Sequence, residues 1–470
     1  MNNNKKDMNY LQHQLVLDIT SIVSDGRGLG RFENKVVFVP HTVPGQKVLV
    51  NITSVHSKFL EGEVKQIIKP SKYEREPICI HAIQCGGCTW QHIQYKHQII
   101  WKKQIIQDAL ERIGKVNNPV ILDVIPSPCE WRYRNKMVFA FAPSPCLSTV
   151  LLGLKRVDSH EVIPVTDCLL QSKNTMKIVE IVRHWVRHEQ TSLEKKILTL
   201  KYFRFLIIRE TITGDILVEL IVNKKNTLIE NKFDEQALGK RLAQCLKGVE
   251  AIKGIILSRR TQVSDIAYSE YIIWHEGERF LEEQVGDIVL SRGNDNFFQI
   301  NTKATEILYS KILSMAQLTG KELVWDLYTG VGSIALFLAP FSFKVIGVES
   351  IAASINLANK NRLSLGYTNC SFIQDDAFSF IRSQIQKGIT PDIVIVDPPR
   401  AGLDKKVIEL LIRLAPRRCI YVSCNPGTFA RDIAMLSPHF VIQQTQPVDL
   451  FPHTPHVETV SYLLYNNAFS

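Results

Sequence analysis

Cys424 directly follows the apolar run CIYVS and precedes Asn425-Pro426-Gly427, where the helical pattern TFARDIAML begins. A thiol between a strand end and a helix N-terminus feels partial positive charge, which lowers its pKa from about 8.5 and enriches the thiolate. That group suits covalent catalysis. Carbon 5 of a pyrimidine is a poor nucleophile until a thiolate adds at carbon 6 and makes it an enolate. The enolate can then take a methyl group from a sulfonium, after which a base removes the carbon 5 proton and the thiolate leaves. FPHTPHVETVSYLLY offers Glu458, His453 and His456 as that base. The plain alternatives are a buried packing cysteine, the reading kept for Cys419, and a salt-bridged surface glutamate.

A cofactor pocket is written farther upstream. In WDLYTGVGSIALFLA a strand runs into Gly330-Val331-Gly332 and a helix follows, which lets backbone approach a nucleotide-like ligand. The next strand, KVIGVE, ends in Glu349, where a carboxylate can accept two hydrogen bonds from ribose hydroxyls. A tight turn with Glu349 capping the next helix is the structural alternative. Gln374-Asp375-Asp376 follows a further strand and suits an adenine amino group. A dehydrogenase and an S-adenosylmethionine methyltransferase both fit so far. DIVIVDPPR separates them, because Asp397-Pro398-Pro399 at a strand's carboxyl end sets an acid and rigid backbone at the ligand crevice.

Cys79, Cys85 and Cys88 lie within ten residues, and Cys168 is a candidate fourth partner. Thiolates at this spacing can wrap one inorganic centre, zinc or iron-sulfur. Unligated packing is the alternative.

The elements that must position these groups fall into three regions. LVLDITSIV, KVVFVP, VPGQKVLVNITSV and LEGEVKQII are short β-runs separated by turns, the spacing of a small barrel with basic residues. A helical pattern over residues 93–114 stops at Gly114, and residues 120–290 read as strands with occasional helices. There Tyr133-Arg134-Asn135-Lys136 suggests an RNA grip or, nearly as well, a half-exposed strand. From about Asn301, strands and helices alternate as in a doubly wound parallel sheet. The net charge is +10 and the pI near 9.0, which favours an acidic partner. No apolar run reaches the roughly 18 residues of a membrane span. The start, MNNNKKDMNYLQHQ, lacks the apolar core of a secretory signal, so a cytoplasmic location without a membrane partner is expected.

With these residues assembled, the chain resembles the RumA/TrmA-type RNA (uracil-5-)-methyltransferases. CGGC after an upstream Cys, FFQIN, DLYTGVG, DPPRAG, YVSCNP and HVETV stand in that family's order over nearly the whole length. The resemblance implies an α/β protein with a TRAM oligonucleotide-binding barrel over 8–70. A mixed, mostly β central domain over 71–290 is to carry the cysteines, with helix 93–114 packing on the methyltransferase domain. A class I, Rossmann-like methyltransferase domain follows over 291–470. It further implies S-adenosylmethionine held by Gln299, Tyr328, Ser333, Glu349, Asp376 and Asp397, Cys424 as nucleophile and Glu458 as base. Cys79, Cys85, Cys88 and Cys168 become ligands of a [4Fe-4S] cluster. Position 333 is often Asn in relatives and is Ser here. Possession of both barrel and cluster implies large-subunit (23S) ribosomal RNA as the substrate, with tRNA the alternative; no oligomer is implied, and a monomer is expected. Three rivals remain: a cytosine-5 enzyme, which should show a second cysteine near DPPRAG, an amino-methylating enzyme working through Asp-Pro-Pro alone, and a non-catalytic RNA-binding remnant.

Overall fold

The computed structural model describes residues 11, 13–82, 84–144, 150–189, 202–223, 234–261, 267 and 269–466. Residues 8–10 and 12 of the expected barrel, residues 197–201 of the run ILTLKYFRFLIIRE, and Cys146 lie outside them. The chain forms two compact units. The first comprises residues 1–83, 87–130 and 398–470, and the second residues 84–86 and 131–397.

The first unit opens with β1 (Gln14–Asp18), β2 (Ser21–Ile22), β3 (Gly28–Phe32), β4 (Lys35–Val39), β5 (Lys47–Val55) and β6 (Phe59–Lys69), in the order β1-β5-β6-β4-β3-β2. Alternation along these strands turns Leu15, Leu17, Val37, Val39, Val48, Val50 and Leu60 into one buried cluster. After a loop comes α1 (Tyr95–Arg112), a little shorter than the pattern suggested, with Gly114 bonding back to Ala109.

The second unit holds a seven-stranded sheet ordered β13-β12-β11-β10-β7-β8-β9. Its strands are β7 (Lys136–Pro143), β8 (Val150–Lys155), β9 (Val162–Ile163), β10 (Phe203–Glu210), β11 (Ile216–Asn223), β12 (Ile252–Arg260) and β13 (Tyr271–Gly277). Helices α2 (Lys173–Glu189) and α3 (Glu235–Leu246) accompany it, and the hairpin of β14 (Phe280–Val285) and β15 (Ile288–Gly293) follows. Then come α4 (Thr302–Ala316), β16 (Leu323–Leu327), α5 (Ser333–Leu338), β17 (Lys344–Glu349), α6 (Ala352–Ser364), β18 (Cys370–Gln374), α7 (Ala377–Gln386) and β19 (Ile393–Val396). These four strands pair in parallel in the order β18-β17-β16-β19. The inner strand β19, IVIV, is a continuous buried apolar run, as a strand covered on both faces must be, whereas the edge strand β18, CSFIQ, is partly exposed.

The chain returns to the first unit with α8 (Lys405–Leu414), β20 (Arg418–Ser423), α9 (Pro426–Leu436), β21 (Phe440–Val448) and β22 (Glu458–Tyr465). There β20 and β21 both pair antiparallel with β22, and α1 packs against α9. Among the described residues no helix is long and apolar enough to cross a membrane.

Candidate active site

In the second unit the parallel register brings four candidates to one carboxyl edge. Glu349 is level with Gln374, and Leu327 with both Val348 and Val396, so Asp376, Glu349, Tyr328 and Asp397 follow the ends of neighbouring strands. Tyr328 has φ +64°, a left-handed conformation costing a bulky residue roughly 1–3 kcal/mol, and it turns the chain sharply into the glycine loop. That loop is stitched to β17, for Thr329 N–H donates to Val348 O (3.0 Å) and Gly330 N–H to Glu349 Oε2 (3.3 Å). Glu349 Oε1 accepts from Ile351 N–H at 2.9 Å, so this carboxylate both joins the loop and caps the approach to α6. Gly332 has φ +81°, and a Cβ there would stand 2.5 Å from the Phe372 ring; only glycine serves. At Gly330 a Cβ would meet open space, which leaves the loop's outer side free for a ligand.

Asp326 was not singled out from sequence, although an acid inside the apolar run LVWDLY just before the glycines is its signal. Its buried carboxyl accepts from Thr329 Oγ1 and from Ala335 N–H (3.1 Å), tying the loop to the start of α5. Burial, with Asp397 and Glu349 adding negative charge, pushes it up to about 7. Half-buried Asp397 is pushed up to about 6 by loss of solvent. Asp376 is the N-cap of α7 and accepts from Ser379 N–H (3.0 Å), which holds its carboxyl below the usual range. Ser333 shares a 2.7 Å hydrogen bond with the Tyr309 hydroxyl. Gln299 is buried, and its segment is gripped by Asn135, whose Nδ2 donates to Gln299 O (2.9 Å) and Thr302 Oγ1 (2.8 Å). This corrects one expectation: Asn135 of the supposed RNA grip is buried and holds FFQIN in place.

In the first unit Cys424, partly buried, follows β20. Asn425 caps α9 by accepting from Gly427 N–H (3.0 Å), and its Nδ2 donates to Arg400 O (3.1 Å), to which Thr428 Oγ1 also donates (3.0 Å). Buried Asp432 accepts from Leu403 N–H (2.7 Å) and the Tyr421 hydroxyl (2.6 Å). Gly402 has φ +78°, and a Cβ would come within 2.6 Å of Asp432 Oδ2 and Arg431 Nη2. The Arg-Ala-Gly of DPPRAG is therefore what lets this loop lie against the cysteine's turn. Cys419 is buried and pushed up to about 12 by desolvation, as packing requires.

Glu458 begins β22 opposite Val448 and is buried, 3% exposed, unlike the salt-bridged surface alternative. His453 is wholly buried; desolvation first, then Arg75 and Lys102, bring it down to about 3, so it is a neutral acceptor and unsuited to a base's task. His456 lies near Arg400, with Nη2 3.5 Å from its Nδ1.

The cysteine candidates divide between the units: Cys79 and Cys88 in the first, Cys85 and Cys168 in the second. Cys79 N–H donates to Gln91 Oε1 (3.2 Å), Cys85 forms a β-bridge with Arg156, and buried Cys168 accepts at its carbonyl from Arg132 (2.9 Å). Among the described residues no three His, Cys, Asp or Glu side chains are drawn together as metal ligands. The four thiols themselves are the soft, all-sulfur donor set that an iron-sulfur cluster takes.

A small barrel, strand-end acids around a glycine turn, and a Rossmann-like methyltransferase fold together define a nucleic-acid methyltransferase. The family model for tRNA (uracil-5-)-methyltransferases matches residues 155–466, and that for the TRAM domain matches residues 14–65. An uncharacterized RNA methyltransferase of Nitratidesulfovibrio vulgaris is 40% identical over 456 residues, covering 96% of each chain. Another from Caldanaerobacter subterraneus is 34% identical over 448 residues, covering 95% of this chain and 96% of its own. The structure of Pyrococcus abyssi tRNA (uracil-54, C5)-methyltransferase with S-adenosyl-L-homocysteine shares the fold, with a TM-score of 0.74 and 24% identity over 96% of this chain and 100% of that one. The chain belongs to the tRNA (uracil-5-)-methyltransferase family and is an S-adenosylmethionine-dependent RNA (uracil-5-)-methyltransferase.

Proposed function

We propose that the enzyme methylates carbon 5 of a specific uridine in 23S ribosomal RNA through a covalent intermediate, acting in the cytoplasm as a monomer. The observation that carries the covalent route is Cys424 at a strand end, its turn capped by Asn425 and bound to the Arg400 carbonyl of DPPRAG. Gln299, Tyr328, Ser333, Glu349, Asp376 and Asp397 would hold S-adenosylmethionine, which supplies an electrophilic methyl carbon and departs as a thioether. The open side of Gly330 and the carboxylates at the strand ends suit its ribose and adenine. The target base leaves its stack, which costs least in loops and bulges. The Cys424 thiolate adds to carbon 6, forming a C–S bond and sending the double-bond electrons toward carbon 5 and oxygen 4. Once carbon 5 carries the methyl group, Glu458 takes its proton, the C–S bond breaks and the 5,6 double bond returns.

The TRAM barrel together with Cys79, Cys85, Cys88 and Cys168, proposed ligands of a [4Fe-4S] cluster, supports ribosomal RNA. The tRNA reading is favoured by the substrate of the Pyrococcus enzyme that shares the fold. Anaerobically purified protein with methyl-labelled S-adenosylmethionine, offered 23S ribosomal RNA and tRNA transcripts separately, decides by nucleoside mass analysis. Label in 5-methyluridine of the ribosomal RNA is expected. Label in tRNA moves the substrate, and label in 5-methylcytidine or full turnover by Cys424→Ala overturns the mechanism. Iron and acid-labile sulfide assays, with visible absorbance lost in Cys88→Ser, check the cluster.

A further inference from the structure

Residues 449–457 join β21 to β22 and deliver Glu458. A connection between strands is ordinarily exposed and mobile, whereas this one is largely buried and pinned. Lys102 Nζ donates to Asp449 Oδ1 (2.6 Å) and Phe451 O (3.0 Å), and the Tyr95 hydroxyl donates to Asp449 Oδ2 (2.9 Å). Both Lys102 and Asp449 are 0% exposed. Farther along, His453 is held in the left-handed region at φ +67°. Its N–H donates to Gln98 Oε1 (2.9 Å), its carbonyl accepts from Trp90 N–H (2.9 Å), and its Nδ1 faces Arg75 Nη2 and Gln98 Nε2, each at 3.2 Å.

The side chains Tyr95, Gln98 and Lys102 come from α1 and lie 347 to 355 residues from their partners in sequence. A buried ion pair is seldom more stabilising than apolar packing of the same volume, and a left-handed histidine is strained. Closing a hairpin needs neither. What the arrangement secures is one position for the loop, and with it the strand start at which Glu458 stands.

We propose that Gln98, Lys102 and Tyr95 are positioning residues that hold Glu458 in register for removal of the carbon 5 proton, acting through His453 and Asp449. The inference rests on the reading of Glu458 as the base.

The test uses full-length Gln98→Leu, Gln98→Glu, Lys102→Met and Tyr95→Phe beside Glu458→Gln. The probe is whichever transcript, 23S ribosomal RNA or tRNA, the wild-type enzyme methylates, with methyl-labelled S-adenosylmethionine. Melting temperature, kcat, KM for S-adenosylmethionine and the labelled protein-RNA adduct surviving denaturing electrophoresis are read together. Gln98→Leu should lower kcat by about 10- to 100-fold, the scale of a misplacement near 1 Å, with KM unchanged within about twofold. The labelled adduct should rise from trace to major species, because the methyl group has been transferred and elimination has slowed. Gln98→Glu keeps the acceptor for His453 N–H but loses the amide that donates to Trp90 O (3.0 Å) and Ile93 O (2.9 Å), so it should slow turnover and raise the adduct as Gln98→Leu does. Tyr95→Phe loses one hydroxyl and keeps the assay informative if larger changes fail to fold; it should move the same way by a smaller factor. Folded variants that slow without accumulating adduct, while Glu458→Gln does accumulate it, would overturn the proposal alone. Full turnover by Glu458→Gln removes the base reading and this inference with it.

Discussion

The carboxyl edge of the second unit and the Glu458 loop of the first are built on opposite plans. At the edge most functional side chains are set by bonds to residues close in sequence: Asp326 to Thr329 and Ala335, Glu349 to Ile351, Asp376 to Ser379, with Gly330 to Glu349 at 19 residues and Ser333 to Tyr309 at 24, while Gln299 is held by Asn135, 164 residues earlier. At the loop, His453 and Asp449 depend on Gln98, Lys102 and Tyr95, some 350 residues earlier. A strand-turn-helix unit carries its own geometry and tolerates changes elsewhere. The loop has local bonds of its own, Phe451 N–H to Asp449 Oδ1 and the Thr454 hydroxyl to Phe451 O, but its place is set by residues from another part of the chain.

That difference predicts which kinetic constant each region controls. The largest effect belongs to the loop: Glu458→Gln should lower kcat by about 10²- to 10⁴-fold, with KM for S-adenosylmethionine unmoved and a methylated protein-RNA adduct visible on denaturing gels. At the edge, Glu349→Ala should instead weaken S-adenosylhomocysteine binding by about 10- to 100-fold in calorimetry, since a charged acceptor of two hydrogen bonds is removed. A strong kcat loss from Glu349→Ala without weakened binding would break the comparison.

Backbone requirements give the next effect. Gly402→Ala should cost about 1–3 kcal/mol by thermal or denaturant unfolding, because φ +78° and the 2.6 Å approach to Asp432 both oppose a methyl group. The edge should also titrate. Burial raises Asp397 to about 6, so the proton is retained to higher pH than on an ordinary aspartate near 3.9. The carboxylate is therefore lost as pH falls through about 6, and kcat/KM for S-adenosylmethionine should decline there; Asp397→Asn should abolish that limb together with most of the affinity. The smallest change is Ser333→Ala, which removes one hydroxyl already engaged with Tyr309 and should weaken binding by about threefold or less.

Much of the edge was legible in the sequence. Gly332 and Glu349 announce themselves because a turn with positive φ demands glycine and a strand end points at the crevice. Asp326 escaped notice since its role is to accept bonds inside the loop, and a lone acid in an apolar run carries no periodic signal. YRNK left an RNA grip and a half-exposed strand both open, and the alternate burial that sets Asn135 against Gln299 favours the strand. From the residues alone His453 and His456 stood beside Glu458; the family resemblance chose Glu458, and burial makes His453 a clamped acceptor.

By itself the sequence determined the element types, the parallel βα alternation and the barrel strands, and it named the candidates for methyl-transfer chemistry. Those follow from patterns of period two and 3.6 and from short-range turn rules, which act over a few residues. Only the tertiary structure decided that α1 grips the loop before Glu458, that Asp432 receives the N–H of Leu403 just after DPPRAG, and that Asn135 supports FFQIN. Each is a hydrogen bond between groups far apart in the chain, and such bonds become definite only when packing has removed water and left a single partner within reach.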